Sequence, residues 1–370
     1  MEAFYNQVKA NDGLTNNLVA SNLSIGKKGN LQMKKLLKSK IMMLVMISLV
    51  LFLAACSSGS TGGDAGSNGN KEGEKSSEKL VIGFSQVGAE SEWRTANTES
   101  VKKAITDAGH ELKFSDAQQK QENQIKAIRS FIAQKVDAIV FSPVVETGFE
   151  TVLKEAKSAG IPVFLADRAV DIKDDSLWVT FLGSDFVEEG RKAANWLVEE
   201  MADEDGEVNI VELQGTVGSA PAIDRKEGFE EVMADHQNFK IIKSQSGDFT
   251  RAKGKEVMEA FLKSDGDNID VLYSHNDDMA IGAIQAIEEY GLKPGEDIKI
   301  IGVDAVKGAF EAMAAGKMNV TVECNPLFGP QLVDLIEAHI SGEKLEKRIS
   351  VEESIYTMDQ AEELLPTRKY

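Results

Sequence analysis

The segment "LYSHNDDMAIGAIQAI" starts at Leu272 as an apolar run, gathers His275, Asn276, Asp277 and Asp278, and resumes as a helix-like stretch. Side chains of these types serve three chemistries: metal ligation, acid–base catalysis, and hydrogen bonding to a ligand rich in hydroxyl groups. A metal centre wants further His, Asp or Glu at suitable spacing. The chain holds four His, none of the others close to His275, and has no HExxH or EF-hand pattern. Nucleophilic hydrolysis lacks its GxSxG elbow, and "QGTVGSAP" lacks the Lys-Ser/Thr ending of a phosphate loop. A glycosidase could take its two carboxylates from Asp167 and Asp304. Their neighbours are amide and guanidinium groups, which hold a carboxylate ionised instead of making it a general acid. A neutral polyol fits best, because each hydroxyl both donates and accepts and so pairs with Asp on one side and Arg or Asn on the other. We therefore expect a binder with no catalytic residue, no metal and no cofactor.

The elements that position these residues are short β-rich runs alternating with helix-like stretches. "LVIGFSQ", "ELKFSDA", "VDAIVFSPV" and "IPVFLADR" are each separated by segments with apolar residues at three- and four-residue intervals. The rhythm pauses at "LWVTFLGSD" and restarts with "VNIVELQG", "KIIKSQSGD", "DVLYSHN" and "IKIIGVDA". Two such series predict an α/β protein of two doubly wound, Rossmann-like parallel-sheet lobes. Ligands of such sheets bind beyond the carboxyl ends of the strands. Those ends carry Ser85 and Gln86, Asp116, Asp167 and Arg168, Gln214, Asp248 and Phe249, His275 to Asp277, and Asp304.

The 370 residues carry a formal charge of −19, which argues against a nucleic-acid partner. "MKKLLKSK" followed by "IMMLVMISLVLFLAA" reads as a signal peptide over residues 33–55. Its ending, Leu53-Ala54-Ala55-Cys56, resembles the bacterial lipobox, which makes Cys56 the expected lipidation site and the extracytoplasmic face of the cell membrane the expected location. Residues 1–32 precede the signal peptide as an upstream extension, and residues 56–79 are a Ser/Gly-rich tether. A flexible coil of that length reaches roughly 25–30 Å. Cys324, the other cysteine, is expected as a free thiol near a strand end.

Long matching stretches, in order, run through the body: "VIGFSQVG", "ESEWR", "QQKQENQIKAIRSF", "PVVETGFE", "PVFLADR", "VELQGTVG", "AIDRKEGF", "SQSGDFTRAKGKEVME" and "HNDDMAIGAIQAI". Through them residues 80–370 resemble the periplasmic sugar-binding proteins of ABC importers, the ribose-binding type, and more closely the galactofuranose-binding branch. The resemblance implies a type I periplasmic binding fold, with one lobe from 80–184 plus 324–350, the other from 185–323 plus 351–370, and a three-segment hinge. The hinges are expected near Gly183-Ser184, near Val303-Asp304 or the segment after it, and near Ser350. It implies sugar contacts from Asp167, Arg168, Arg225, Phe249, Asn276 and Asp304, with Glu323 as the last contact near "VECNP"; Ser85 is expected as a further contact from its place at the end of its strand. Ribose-type proteins carry a pair of Phe in the first loop. Here Trp93-Arg94 stands instead, so Glu90 and Arg94 are expected as ligands and Trp93 as a stacking plate. Branch cysteines of the second lobe have no counterpart, so no disulfide is expected. Asp277 is expected to cap the following helix; His275 and Asp278 have no assigned role. The implied partners are a monosaccharide, a permease and its ATPase, and the membrane through the lipid, the chain itself being a monomer. The alternative is a sugar sensor feeding a membrane signalling partner. A transcription regulator of related fold is excluded by the signal peptide and by the lack of a helix-turn-helix segment.

Overall fold

The computed structural model describes residues 79–370 apart from Asp205. The expected extension, the signal peptide, the tether to residue 78 and the Cys56 lipidation site lie outside the described residues. Among the described residues no helix is long and apolar enough to cross a membrane.

Parallel strands covered by helices on both faces are apolar on both faces, and the runs "AIVF" and "VFLA" are fully buried. The first sheet comprises β1 (Val81–Gln86), β2 (Glu111–Asp116), β3 (Ala138–Phe141), β4 (Val163–Ala166), β5 (Phe181–Gly183) and the late strand β11 (Arg348–Ser350). Its order is β11-β5-β4-β3-β1-β2, all parallel. The second sheet comprises β6 (Val208–Gln214), β7 (Phe239–Ser246), β8 (Val271–Ser274), β9 (Lys299–Asp304), β10 (Val320–Glu323) and β12 (Ile355–Thr357). Its order is β12-β10-β9-β8-β6-β7, with β12 alone antiparallel. The pleat sorts β3 between two cores. Ala138 and Val140 join Ile82 and Phe84 on one face, while Ile139 and Phe141 join Phe131, Phe149 and Leu153 on the other. The molecule is thus two doubly wound α/β lobes. In each, the strand order reverses beside the lobe's first strand, at β1/β3 and at β6/β8, which is where such sheets hold ligands.

The chain passes between the sheets three times. Past β5 it enters helix α4 (Phe186–Glu200), which packs on α5 (Ala220–Met233) of the second lobe. Past β10 it returns as α9 (Gly329–Ile340), which packs on α1 (Glu92–Asp107) of the first. The third passage joins β11 to β12. Val303-Asp304 is not a passage: it ends β9, whose neighbours β8 and β10 both belong to the second sheet. The middle passage begins after Glu323 instead.

Helix α5 carries Arg225, and its distance from α4 is set by two glycines. A Cβ at Gly190 would stand 2.2 Å from the Arg225 carbonyl oxygen, and one at Gly228 only 1.9 Å from that of Val187. No side chain fits there, so the helices meet backbone to backbone. Gly228→Ala is expected to force them apart and destabilise the fold by about 1–3 kcal/mol, read as a lower urea midpoint at unchanged slope. An unchanged midpoint would show that the helices have room to spare.

Candidate functional site

The strand ends that face the gap between the lobes are bent by residues in the left-handed region. Asp167 has φ 67°, Asp248 53°, Phe249 60°, Asp304 123° and Ala305 58°, none of them glycine. Such backbones cost on the order of 1–3 kcal/mol each and cluster where function requires them. Here they turn Asp167, Phe249 and Asp304 onto one small cavity shared by both lobes.

On the first lobe, Ser91 caps α1 by accepting from the Arg94 amide at 3.0 Å, which fixes Glu90, Trp93 and Arg94 around the first turn. Arg94 donates from Nε to Glu90 Oε1 at 2.9 Å, and from Nη1 to Asp167 Oδ2 at 2.6 Å and Gln86 Oε1 at 3.2 Å. Ser142 donates its hydroxyl to the same Asp167 oxygen at 2.9 Å. Burial would lower the Arg94 guanidinium, but Asp167 and Glu90 outweigh it and hold it above its ordinary value. Arg168 is less well served. Its Nη1 reaches the Val144 carbonyl at 3.3 Å, and its guanidinium lies 5.2 Å from the Phe249 ring centre. Burial, with the nearby Arg94 cation, pushes it down to about 10.

On the second lobe, Arg225 donates from Nε to Glu189 Oε2 at 2.6 Å and from Nη1 to the His275 carbonyl at 2.5 Å. Its Nη2 stands 3.7 Å from Asp304 Oδ1. Burial, only partly offset by Arg225, pushes the Asp304 carboxyl well above its ordinary value. A ligand hydroxyl donating to it would draw it back.

Nine of the sequence-derived residues therefore line one cavity: Glu90, Trp93, Arg94, Asp167, Arg168, Arg225, Phe249, Asn276 and Asp304. Two stand elsewhere. Ser85 is fully buried in β1 and does not line the cavity; its neighbour Gln86 is the one that touches Arg94. Glu323 faces away, accepting from the Tyr356 and Tyr370 hydroxyls at 3.2 and 3.1 Å. The wall at that strand end is Cys324, buried and free, whose carbonyl accepts from Trp93 Nε1 at 2.5 Å. Trp93 is thus tied to the wall as well as offering its ring. Ser91, Phe186 and Pro221 also line the cavity, with no signal in the sequence beyond their position at helix starts.

The opening segment divides its labour differently from expectation. Asn276, not Asp277, caps helix α7 (Asp277–Tyr290), accepting from the Met279 amide at 3.0 Å while its Nδ2 donates to the Phe249 carbonyl at 3.2 Å. Asp277 turns inward, accepting from the Val306 amide at 3.0 Å and the Thr321 hydroxyl at 2.8 Å. His275 pairs with Glu212 at 2.9 Å in the interior, and its carbonyl holds Arg225. Burial would raise Glu212, but the His275 ring outweighs it and draws the carboxyl down to about 2. Asp278 latches the lobes: it accepts from the Glu92 amide of the first lobe at 2.7 Å and pairs with Arg251 at 2.8 Å. A second bridge runs from the Glu146 amide to the Gly218 carbonyl at 3.0 Å. The described state is closed.

Three guanidiniums and three carboxyl groups line the cavity. Two buried polar atoms of residues that line it lack a hydrogen-bond partner, the acceptor Glu90 Oε2 and the donor Arg168 Nε, the latter 3.7 Å from Asp167 Oδ2. Buried polar atoms normally find one. The wall thus offers one acceptor and one donor to a neutral group that both donates and accepts. For a metal ion, one cluster of donors exists among the described residues, Glu189, Cys324 and Glu353. The Arg225 guanidinium already occupies the cation's place beside Glu189.

Comparison with known proteins places this geometry. The signature of the family described as periplasmic binding protein domain matches residues 82–344. The galactofuranose-binding protein YtfQ of Escherichia coli (strain K12) is 52% identical over 293 residues, covering 78% of this chain and 92% of that protein. The crystal structure of a Mycobacterium smegmatis protein in complex with β-D-fucofuranose superposes with a TM-score of 0.77 at 55% identity, covering 79% of this chain and 95% of that one. The binding component of the arabinose ABC transporter from Shewanella sp. ANA-3, bound to α- and β-L-arabinofuranose, gives 0.76 at 53% identity, covering 78% and 95%. The chain belongs to the periplasmic binding protein family.

Proposed function

We propose that this chain captures a monosaccharide in its furanose form between the two lobes and delivers it, unconverted, to the permease of an ABC importer. The observation that carries the reading is the pair of buried atoms without a hydrogen-bond partner, Glu90 Oε2 and Arg168 Nε, on residues that line the cavity between the lobes. A hydroxyl group both donates, as Glu90 Oε2 requires, and accepts, as Arg168 Nε requires, whereas an anion only accepts. The relatives that carry furanoses in their names support the ring form. Trp93 and Phe249 offer apolar faces to the C–H side of a ring. Asp167 is held by Arg94 and Ser142, an arrangement for gripping a hydroxyl and not for donating a proton to a leaving group. Lipidation at Cys56 would tether the body to the outer face of the membrane, where a permease is within the tether's reach.

Closing in water strips six ionisable groups of solvent, so the closed form is favoured when a sugar pairs with them. L-arabinose, D-galactose, D-fucose and D-ribose, each in thousandfold excess over a micromolar Kd, should be screened by thermal shift. At least one furanose-forming sugar is expected to stabilise by about 4 kcal/mol, a shift of several degrees, and to be recovered unchanged. No shift with any of them, or consumption of the sugar, contradicts the reading. Asp167→Ala removes an acceptor worth one or two charge-assisted hydrogen bonds and should weaken binding about 100-fold by calorimetry. Asp278→Ala leaves the cavity wall intact but unlatches the closed form. It should weaken binding about tenfold at unchanged stoichiometry, and unchanged affinity would show that the Glu92 latch plays no part in closure.

A further inference from the structure

The three passages between the lobes meet at one carboxyl group. Glu353 lies in the passage from β11 to β12. Its Oε1 accepts from the Ser184 hydroxyl of the first passage at 2.5 Å and from the Asn325 amide of the middle passage at 2.9 Å. Facing it are Glu189 of α4 and the Cys324 thiol, and donor atoms of all three residues lie within 4.8 Å of one another. The Cys324 sulfur stands 3.3 Å from the Ser184 hydroxyl. Arg225 of α5 pairs with Glu189 at 2.6 Å, Asp304 stands 3.7 Å from that same guanidinium, and Arg348 donates to the Ser184 carbonyl at 3.1 Å. Lys192 is turned to the Glu353 backbone carbonyl, at 2.8 Å, not to its carboxyl.

Glu189 is fully buried, and its two oxygens differ. Oε2 takes the Arg225 bond, while Oε1 has no partner as long as both glutamates are ionised. Two carboxylates and a thiol this close, out of water and facing one guanidinium, cannot all carry charge. One proton between the glutamates removes the conflict and satisfies the orphaned oxygen.

We propose that Glu353 is protonated at neutral pH and donates that proton to Glu189 Oε1, so that Glu353 acts through Glu189 as a positioning residue for Arg225 in the sugar cavity. The inference rests on the sugar-binding reading for its functional consequence, but not for the bridge itself. Burial first, and then the Glu189 charge, push Glu353 up to about 9, and burial pushes Glu189 and the Cys324 thiol up as well. The proton therefore stays on the pair across the physiological range. Above it, two facing carboxylates repel, Glu189 shifts, and Arg225 loses its fixed aim.

The sign of the pH effect follows from the raised value. The stabilisation is complete below the unfolded value near 4.5 and is lost as pH rises through about 9. Glu353→Gln keeps a donor toward Glu189 and cannot titrate. Thermal unfolding of the sugar-free chain should show the wild type's advantage over Glu353→Gln shrinking steadily from pH 5 to pH 9. The sugar that stabilises best in the screen above should bind Glu353→Gln within about threefold of wild type at pH 7. Its wild-type Kd should climb with pH by up to about tenfold per unit near and above pH 9, while that of Glu353→Gln stays nearly flat.

A constant wild-type advantage at every pH overturns the proposal. So does a pH dependence that survives in Glu353→Gln but vanishes in Cys324→Ser, because the thiol is then the proton source. So does stabilisation of the untagged wild type by micromolar zinc or manganese that Glu353→Gln abolishes, because the cluster is then a metal site. If Glu353→Gln does not fold, infrared spectra of ¹³C-Glu-labelled wild type decide. A protonated glutamate band present at pH 7 and lost above about pH 9 supports the bridge, and its absence at pH 7 overturns it. Should no sugar bind, the functional reading fails while the unfolding comparison still decides the bridge.

Discussion

A polar atom removed from water needs a partner, and the cleft is built so that its wall cannot supply them all. Arg94, Asp167, Glu90 and Ser142 satisfy much of one another on the first lobe, and Arg225, Glu189 and the His275 carbonyl do so on the second. Left over are Glu90 Oε2 and Arg168 Nε. A closed, empty cavity bears their desolvation without compensation, while a closed cavity holding a polyol does not. Recognition and closure are then one event, and the Asp278 and Glu146 bridges across the lobes register that it has happened.

The fold serves this by pointing strand ends at the gap and then bending them. Asp167, Phe249 and Asp304 leave their strands with positive φ, so side chains that regular pleating would lay against the sheet face the cavity instead. Behind them stand rigid supports. Asn276 caps α7 and ties it to the Phe249 backbone, Glu212 fixes His275, and the glycine contact between α4 and α5 sets the height of Arg225. Each support is buried, so each converts packing into a fixed direction for a hydrogen bond.

The two-lobed fold was legible in the alternation of apolar runs and helical periodicity, because parallel strands and their covering helices have distinct periods. Site residues that follow strands directly were legible for the same reason, and the motif resemblance supplied Glu90, Trp93 and Arg94. Two of the three departures are offsets of one residue. Ser85 is core and neither it nor Gln86 lines the cavity, Cys324 lines it where Glu323 was expected, and Asn276 caps where Asp277 was expected to. Successive residues at a strand end point to opposite sides, so an error of one in the end of a strand exchanges cavity for core. A helix cap depends on which residue first leaves the extended backbone, and Asn276, at φ −154° and ψ 165°, is still extended. Asp278, Glu189 and Glu353 were not legible at all, since their partners lie far away in sequence.

The most direct measurement is a crystal structure of the chain with an arabinofuranose or galactofuranose. The account predicts ring or hydroxyl oxygens within about 3.2 Å of both Glu90 Oε2 and Arg168 Nε, with the Asp278 latch closed. A sugar seated in the cleft with those two atoms still unpartnered, or turned to solvent, would contradict it.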